Sequence, residues 1–149
     1  MKLVNNVVIS VFIKESENED VLREKLKSFV PLSFEDEKIT LTRKIAEGFE
    51  DKKIIILEIV LNKEKHTNAF IKKLNKILVN EQRELILRQA ETRLDREFNF
   101  FIRFDKEKLV NENKYWITDS GNCFHIKMNI ACFPRKREQA LKIIQNIFK

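Results

Sequence analysis

The sequence predicts an α+β fold: a mostly antiparallel sheet with helices packed on one face, in the order β-α-β-β-α-α-β-β-α. Three observations carry that expectation. Two strand-like runs, 38–44 and 52–61, are separated by a short stretch containing Gly48, which reads as a β-β hairpin. Near the C-terminus a strand leads without slack into an amphipathic helix. Only two glycines occur in 149 residues, so no Gly-rich turn is present to open an alternating βαβ nucleotide-binding layout.

Residues 3–13 form the first strand, built from Val, Ile and Phe with Asn5 and Ser10 interleaved. Ser16, Asn18 and Asp20 are candidate caps for a short helix whose apolar stripe is Leu22, Leu26 and Phe29, and Pro31 stops it. Residues 38–44 alternate Ile39, Leu41 and Arg43 with Thr40 and Thr42, as a half-exposed strand does. The run Ile54–Leu61 reads as a central strand covered on both faces. Thr67 then caps a helix that buries Phe70, Leu74, Ile77 and Leu78, and Asn80 separates it from a second helix carrying Leu85, Ile86, Ala90 and Leu94. Phe98–Phe104 is the fourth strand, with Phe101 on the opposite face from Phe98, Phe100 and Phe104. One helical turn around Leu109 follows, and Thr118-Asp-Ser-Gly-Asn122 is a turn signal. The last strand, 123–131, places Phe124, Ile126, Met128 and Ile130 on one face. Pro134 reads as the first residue of a final helix buried through Ala140, Ile143, Ile144 and Ile147.

A chain of this length suits one domain, 1–149, with an ordinary core. The net charge of +6 leans toward polyanions or acidic membrane surfaces. No apolar run approaches the ~20 residues of a membrane span. The hydrophobic N-terminus lacks a small-residue cleavage site and is better read as a strand than as a signal peptide. Cys123 and Cys132 belong to or adjoin one strand, on the order of 30 Å apart if extended, and read as reduced thiols of a cytoplasmic protein.

The charge pattern offers a functional clue. Arg135, Lys136 and Arg137 crowd the start of the last helix, where the dipole disfavours cations, while free N–H groups and cations together suit an anion. Glu138 is the only acid beside them, and Lys142 adds a further cation downstream. Lys72, Lys73 and Lys76 read as a solvated face or as an extension of that basic surface. Arg83, Arg88, Arg93 and Arg96 alternate with acids and read as salt-bridged. Asp119, Ser120 and His125 are the one close set resembling a hydrolytic triad, but their setting in a turn favours local hydrogen bonding. His66, His125, Cys123 and Cys132 lack zinc-ligand spacing. No catalytic residues, metal or cofactor are expected. Most phenylalanines read as core, with Tyr115 and Trp116 partly exposed.

The segments Lys65-His-Thr-Asn-Ala-Phe70, Glu91-Thr-Arg-Leu-Asp95, Thr118-Asp-Ser-Gly-Asn-Cys-Phe-His-Ile126 and Ala131-Cys-Phe-Pro-Arg135 together resemble an archaeal family. Its members are described as predicted RNA-binding proteins or predicted exosome subunits. The resemblance implies a fold similar to the large-subunit ribosomal protein that binds 5S rRNA, and an archaeal, cytosolic source. A non-catalytic RNA-binding protein accessory to RNA processing is therefore expected. Arg135, Lys136, Arg137 and Lys142 would meet phosphate, Lys72, Lys73 and Lys76 would extend the surface, and His66 and Asn68 could meet sugar edges. The alternative is a protein-interaction or homodimerisation module whose strand 98–104 leaves rings exposed. RNA-processing proteins are further expected partners, and no membrane is expected.

Overall fold

The structure, a computed structural model, describes residues 2–149 apart from the side chain of Phe49. Five strands, β1 (Val4–Lys14), β2 (Leu41–Glu47), β3 (Lys53–Leu61), β4 (Asn99–Asp105) and β5 (Cys123–Ile130), form one sheet in the order β2-β3-β1-β5-β4. Every neighbouring pair is antiparallel. The helices are α1 (Glu19–Lys27), α2 (Glu64–Ile77), α3 (Asn80–Arg88), α4 (Ala90–Arg93), α5 (Lys106–Glu112) and α6 (Arg137–Phe148). The α+β class and the β2-β3 hairpin are as the sequence predicts.

Strand alternation sorts the sheet into two faces. Val7, Ile9, Val11 and Ile13 of β1 share a fully buried face with Leu57, Ile59 and Leu61 of β3, Phe100, Ile102 and Phe104 of β4, and Phe124, Ile126 and Met128 of β5. The helices cover that face. α1 contributes Leu22 and Leu26, α2 contributes Phe70 and Leu74, and α6 contributes Ala140, Ile144, Ile147 and Phe148. Each large apolar side chain so buried stabilises by roughly 1.5–3 kcal/mol before its entropy cost is set against it. At one end, Phe29 packs on Phe104, Tyr115 and Phe124, with ring centroids 5.3–5.8 Å apart. Tyr115 and Trp116 are half-buried, as expected from their place beside the turn.

The opposite face carries no helix across its middle. Phe12 is 58% exposed and Val60 46% exposed, and Ile54 and Ile56 are half-buried. This corrects the reading of β3 as covered on both faces: its apolar residues are numerous, but Leu57, Ile59 and Leu61 are buried in the core, Ile55 packs partly against it, and the others face the open side. β2 also begins later than its sequence suggests, at Leu41, and is largely solvated. As an edge strand it has only one neighbour to bury it.

Two helix starts differ from expectation. Lys63, not Thr67, occupies the cap of α2, and no side chain caps the helix there. Thr67 lies within the first turn, fully buried, and its hydroxyl donates to the Glu64 carbonyl at 3.2 Å. Burial and a local acceptor suit threonine inside a helix as well as at its cap. Pro134 is not the first residue of α6. Lys136 is the cap, with extended backbone, and Arg137 is the first helical residue. The predicted second helix divides at Gln89 into α3 and α4, while Asn18 and Asp105 cap α1 and α5 through their side chains.

Candidate nucleic-acid interface

β4 is an edge strand, and its outer edge is closed by other parts of the chain. Asp95 N–H donates to the Asn99 carbonyl at 2.9 Å, and Thr118 N–H donates to the Arg103 carbonyl at 2.9 Å. Between them Arg93, from α4, donates Nη1–H to the Phe101 carbonyl at 3.1 Å. Its Nε and Nη2 donate to Gln89 Oε1 at 3.1 and 2.5 Å. The guanidinium is thus held half-buried by neutral acceptors, and burial is the main cause that pulls its pKa below the usual value.

Arg93 borders a recess of about 440 Å³ on the sheet face opposite α1, α2 and α6, where α4 forms one wall; it is lined also by Gln89, Thr92, Phe101, Arg103, Thr118, Asp119 and His125. Cross-strand register explains why these meet. Arg103 pairs with His125 and Phe101 with Lys127, so odd-numbered residues of β4 and β5 point outward together. The Phe101 and His125 rings lie 5.5 Å apart, tilted by 42°. Arg103 reaches over the 118–122 turn and donates Nη1–H to the Asp119 carbonyl at 3.1 Å. Neither Arg93 nor Arg103 has a carboxylate at ion-pair distance among the described residues. Burial, and then the positive fields of Arg103 and Lys127, hold the His125 pKa below its ordinary value. The imidazole is therefore neutral at pH 7, an aromatic plate rather than a cation. A second recess shares Arg103 and His125 and extends toward Ser10 and the exposed Phe12.

The 118–122 turn is built locally. Ser120 N–H donates to Thr118 Oγ1, and Asn122 N–H donates to Ser120 Oγ, both at 3.1 Å. The Ser120 hydroxyl thus serves the turn, the structural role that the sequence favours for it.

The helix-start cations lie elsewhere. β3 and β5 both run antiparallel to β1, and α2 and α6 follow them. Both helices therefore begin at the end of the sheet where β1 begins, and Asn75 Nδ2 on α2 donates to the Ile147 carbonyl on α6 at 2.7 Å. Arg135 sets its guanidinium carbon 5.0 Å from the centre of the Phe98 ring. Arg137 donates to the carbonyls of Glu91 and Leu94 at 2.5 and 3.2 Å, and its Nε lies 3.4 Å from Glu91 Oε2. It anchors α4. Lys136, Lys142, Lys72 and Lys76 are exposed, and Lys73 is half-buried. His66 is 5% exposed and its Nε2 lies 3.1 Å from Glu37 Oε1. Lys65 first and His66 second hold the Glu37 carboxyl below its usual pKa. Asn68 is half-buried, with its Oδ1 enclosed and unpaired. Phe133, beside Arg135, is 94% exposed.

By charge pattern alone Arg93 belongs to a salt-bridged series, and by alternation Phe101 lies opposite Phe98, Phe100 and Phe104; neither pattern places the two residues together. The signal for both was present. Glu91–Asp95 and Thr118–Ile126, two of the segments that carry the family likeness, supply Thr92, Arg93, Thr118, Asp119 and His125 to this recess.

An α+β sheet with one open face, bearing guanidinium groups without carboxylate partners beside aromatic plates, is the kind of surface that meets nucleic acid. The chain belongs to a family described as RNA binding, whose model matches residues 6–130. It is 24% identical to RNA-binding protein PAB1135 of Pyrococcus abyssi over 142 residues, which is 95% of this chain and 91% of that one. It is 27% identical to the uncharacterized protein MJ0213 of Methanocaldococcus jannaschii, over 95% of each chain. Among solved structures, AF2318 from Archaeglobus fulgidus superposes with a TM-score of 0.85 at 24% identity, covering 97% of this chain and 99% of that one. Mth689 of Methanothermobacter thermautotrophicus, a DUF54 protein, gives 0.79 at 24% identity over 99% and 100%. These two likenesses establish the fold. Among the described residues no helix is long and apolar enough to cross a membrane.

Proposed function

We propose that the protein is a non-catalytic RNA-binding domain, 1–149, that holds an RNA strand against the recess around Arg93, Arg103, Phe101 and His125. The observation that carries the reading is the pairing of two guanidinium groups lacking carboxylate partners with a half-buried phenylalanine–histidine pair on the sheet face opposite α1, α2 and α6. Cations neutralise phosphate, and rings stack on unpaired bases. α4 links this recess to the 133–137 segment, because its Arg93 borders the recess and Arg137 donates to the carbonyls of Glu91 and Leu94. Arg135, Lys136 and the exposed Phe133 would extend the RNA track there, with Arg137 as its structural anchor. Lys142, Lys72, Lys73 and Lys76 would add long-range attraction. His66, engaged by Glu37, and Asn68 would support the start of α2 beneath that surface. An accessory role in cytoplasmic RNA processing beside the archaeal exosome, and a kinship with the 5S rRNA-binding ribosomal fold, belong to the same proposal.

Binding of short single-stranded and structured RNAs across a salt series tests it. Each phosphate contact contributes about −0.7 to the log–log slope on single strands. Arg93→Ala with Arg103→Ala should cost at least tenfold in affinity, and Arg135→Glu with Lys136→Glu should flatten the slope. Unchanged binding in the first pair would remove the recess from the interface. The second reading, docking of another copy or of a processing protein, rests on the exposed Phe12 and Val60. Failure to bind any RNA at low salt, together with a dimer by light scattering that Phe12→Ser disrupts, would favour it.

A further inference from the structure

Asp119 is out of place on a surface that meets only phosphate. Among the described residues it is the one carboxylate lining the recess, it is exposed, and like charge would repel a phosphate group brought beside it. Its backbone carbonyl takes the Arg103 guanidinium, so the turn and Arg103 are held together, and its carboxylate lies within the positive field of Arg93. Its carboxylate oxygens have no protein donor among the described residues. A paired acceptor beside two guanidinium groups and a ring plate suits a ligand with donors on one edge and acceptors on another.

We infer that the recess selects an unstacked guanine of the bound RNA, with Asp119 accepting from its N1–H and N2–H₂, Arg103 donating to O6 and N7, and Phe101 and His125 stacking on its face. The assignment rests on the RNA-binding reading above and adds its base preference. Guanine alone offers a carboxylate two adjacent donors. Adenine and cytosine set an amino group beside an acceptor nitrogen, and uracil flanks its single N–H with two carbonyls, so each would bring lone pairs against those of Asp119. The adjoining edge of guanine presents O6 and N7, which a guanidinium fork matches. The recess, at about 440 Å³, falls within the size range of small-ligand sites.

The test uses fluorescein-labelled octauridylates carrying a single central G, A, C or inosine, with affinity read by anisotropy. The G oligonucleotide should bind about tenfold or more tightly than those with A or C, with inosine, which lacks the N2 amino group, in between. Asp119→Asn and, separately, Arg103→Gln should reduce that preference to within twofold. Equal wild-type affinity for G, A and C, or an equal loss on every oligonucleotide in Asp119→Asn, would overturn the guanine assignment while leaving RNA binding intact. Absence of binding to all of them would overturn the RNA-binding reading itself.

Discussion

Arg93 donates its Nη1–H to the main-chain carbonyl of Phe101 at 3.1 Å, so a cation from α4 completes the outer edge of β4. An edge strand otherwise presents unpaired backbone groups that invite pairing with another chain. The same guanidinium borders the recess, which ties the stability of the edge to the binding surface.

Replacement of Arg93 by Met should therefore lower stability as well as RNA affinity. The substitution keeps much of the apolar stem but strips the Phe101 carbonyl and Gln89 Oε1 of their donor. A loss of about 1–3 kcal/mol is expected in urea denaturation. An unchanged midpoint would show that water replaces the guanidinium at no cost.

Gln82 is 3% exposed, and its Oε1 accepts from the Ile117 N–H at 2.6 Å. Gln82→Leu keeps the volume near but leaves that buried N–H without an acceptor, at a cost of about 1–3 kcal/mol. Gln82→Glu, which retains an acceptor, should fold at neutral pH with a smaller loss if the carboxyl stays protonated. Equal midpoints for wild type and Gln82→Leu would refute the role given to this bond.

Lys106 is 4% exposed and donates from Nζ to the Phe12 carbonyl at 2.7 Å and to Glu17 at 3.2 Å. Lys106→Met should destabilise the fold by roughly 2 kcal/mol, since it frees a partly buried carbonyl and a partly shielded carboxylate. The double variant Lys106→Met, Glu17→Gln should recover part of that loss, and a thermodynamic cycle over the four proteins measures how much.

His125 sets a pH dependence. Its folded pKa lies below the ordinary imidazole value of about 6.5, chiefly through burial and then through Arg103 and Lys127. The unfolded chain therefore takes up a proton at a higher pH than the folded one. This contribution to stability is complete above about pH 6.5 and is lost as the pH falls toward the lowered folded value. Melting temperatures should decline across that window, and His125→Gln should show a shallower decline. An identical slope in the variant would place the proton uptake on another group.

Local patterns in the chain were enough to define most elements. Alternation at Phe124, Ile126 and Met128 marks the buried face of β5, and Ala140, Ile144 and Ile147 mark that of α6. These patterns survive because burial of one face is a requirement each segment meets by itself. Where a residue has two good uses the local signal divides: Thr67 could cap a helix or sit inside one, and the isoleucines of β3 could face a core on either side. Which face stayed open was decided by the packing of α1, α2 and α6 on the other side of the sheet.

The recess was legible only as fragments. Arg93, Arg103, Asp119 and His125 come from α4, β4, a turn and β5, and the order β2-β3-β1-β5-β4 sets the neighbours that bring them together. Periodicity states which way a side chain faces, whereas neighbours depend on how strands far apart in sequence pair. Residue order sufficed for the α+β class, most of the core faces and the basic balance. Tertiary structure alone decided that Arg137 would anchor α4 and that Arg93 would face the open sheet. It did so because a guanidinium bonds whichever carbonyls the completed fold leaves within its reach.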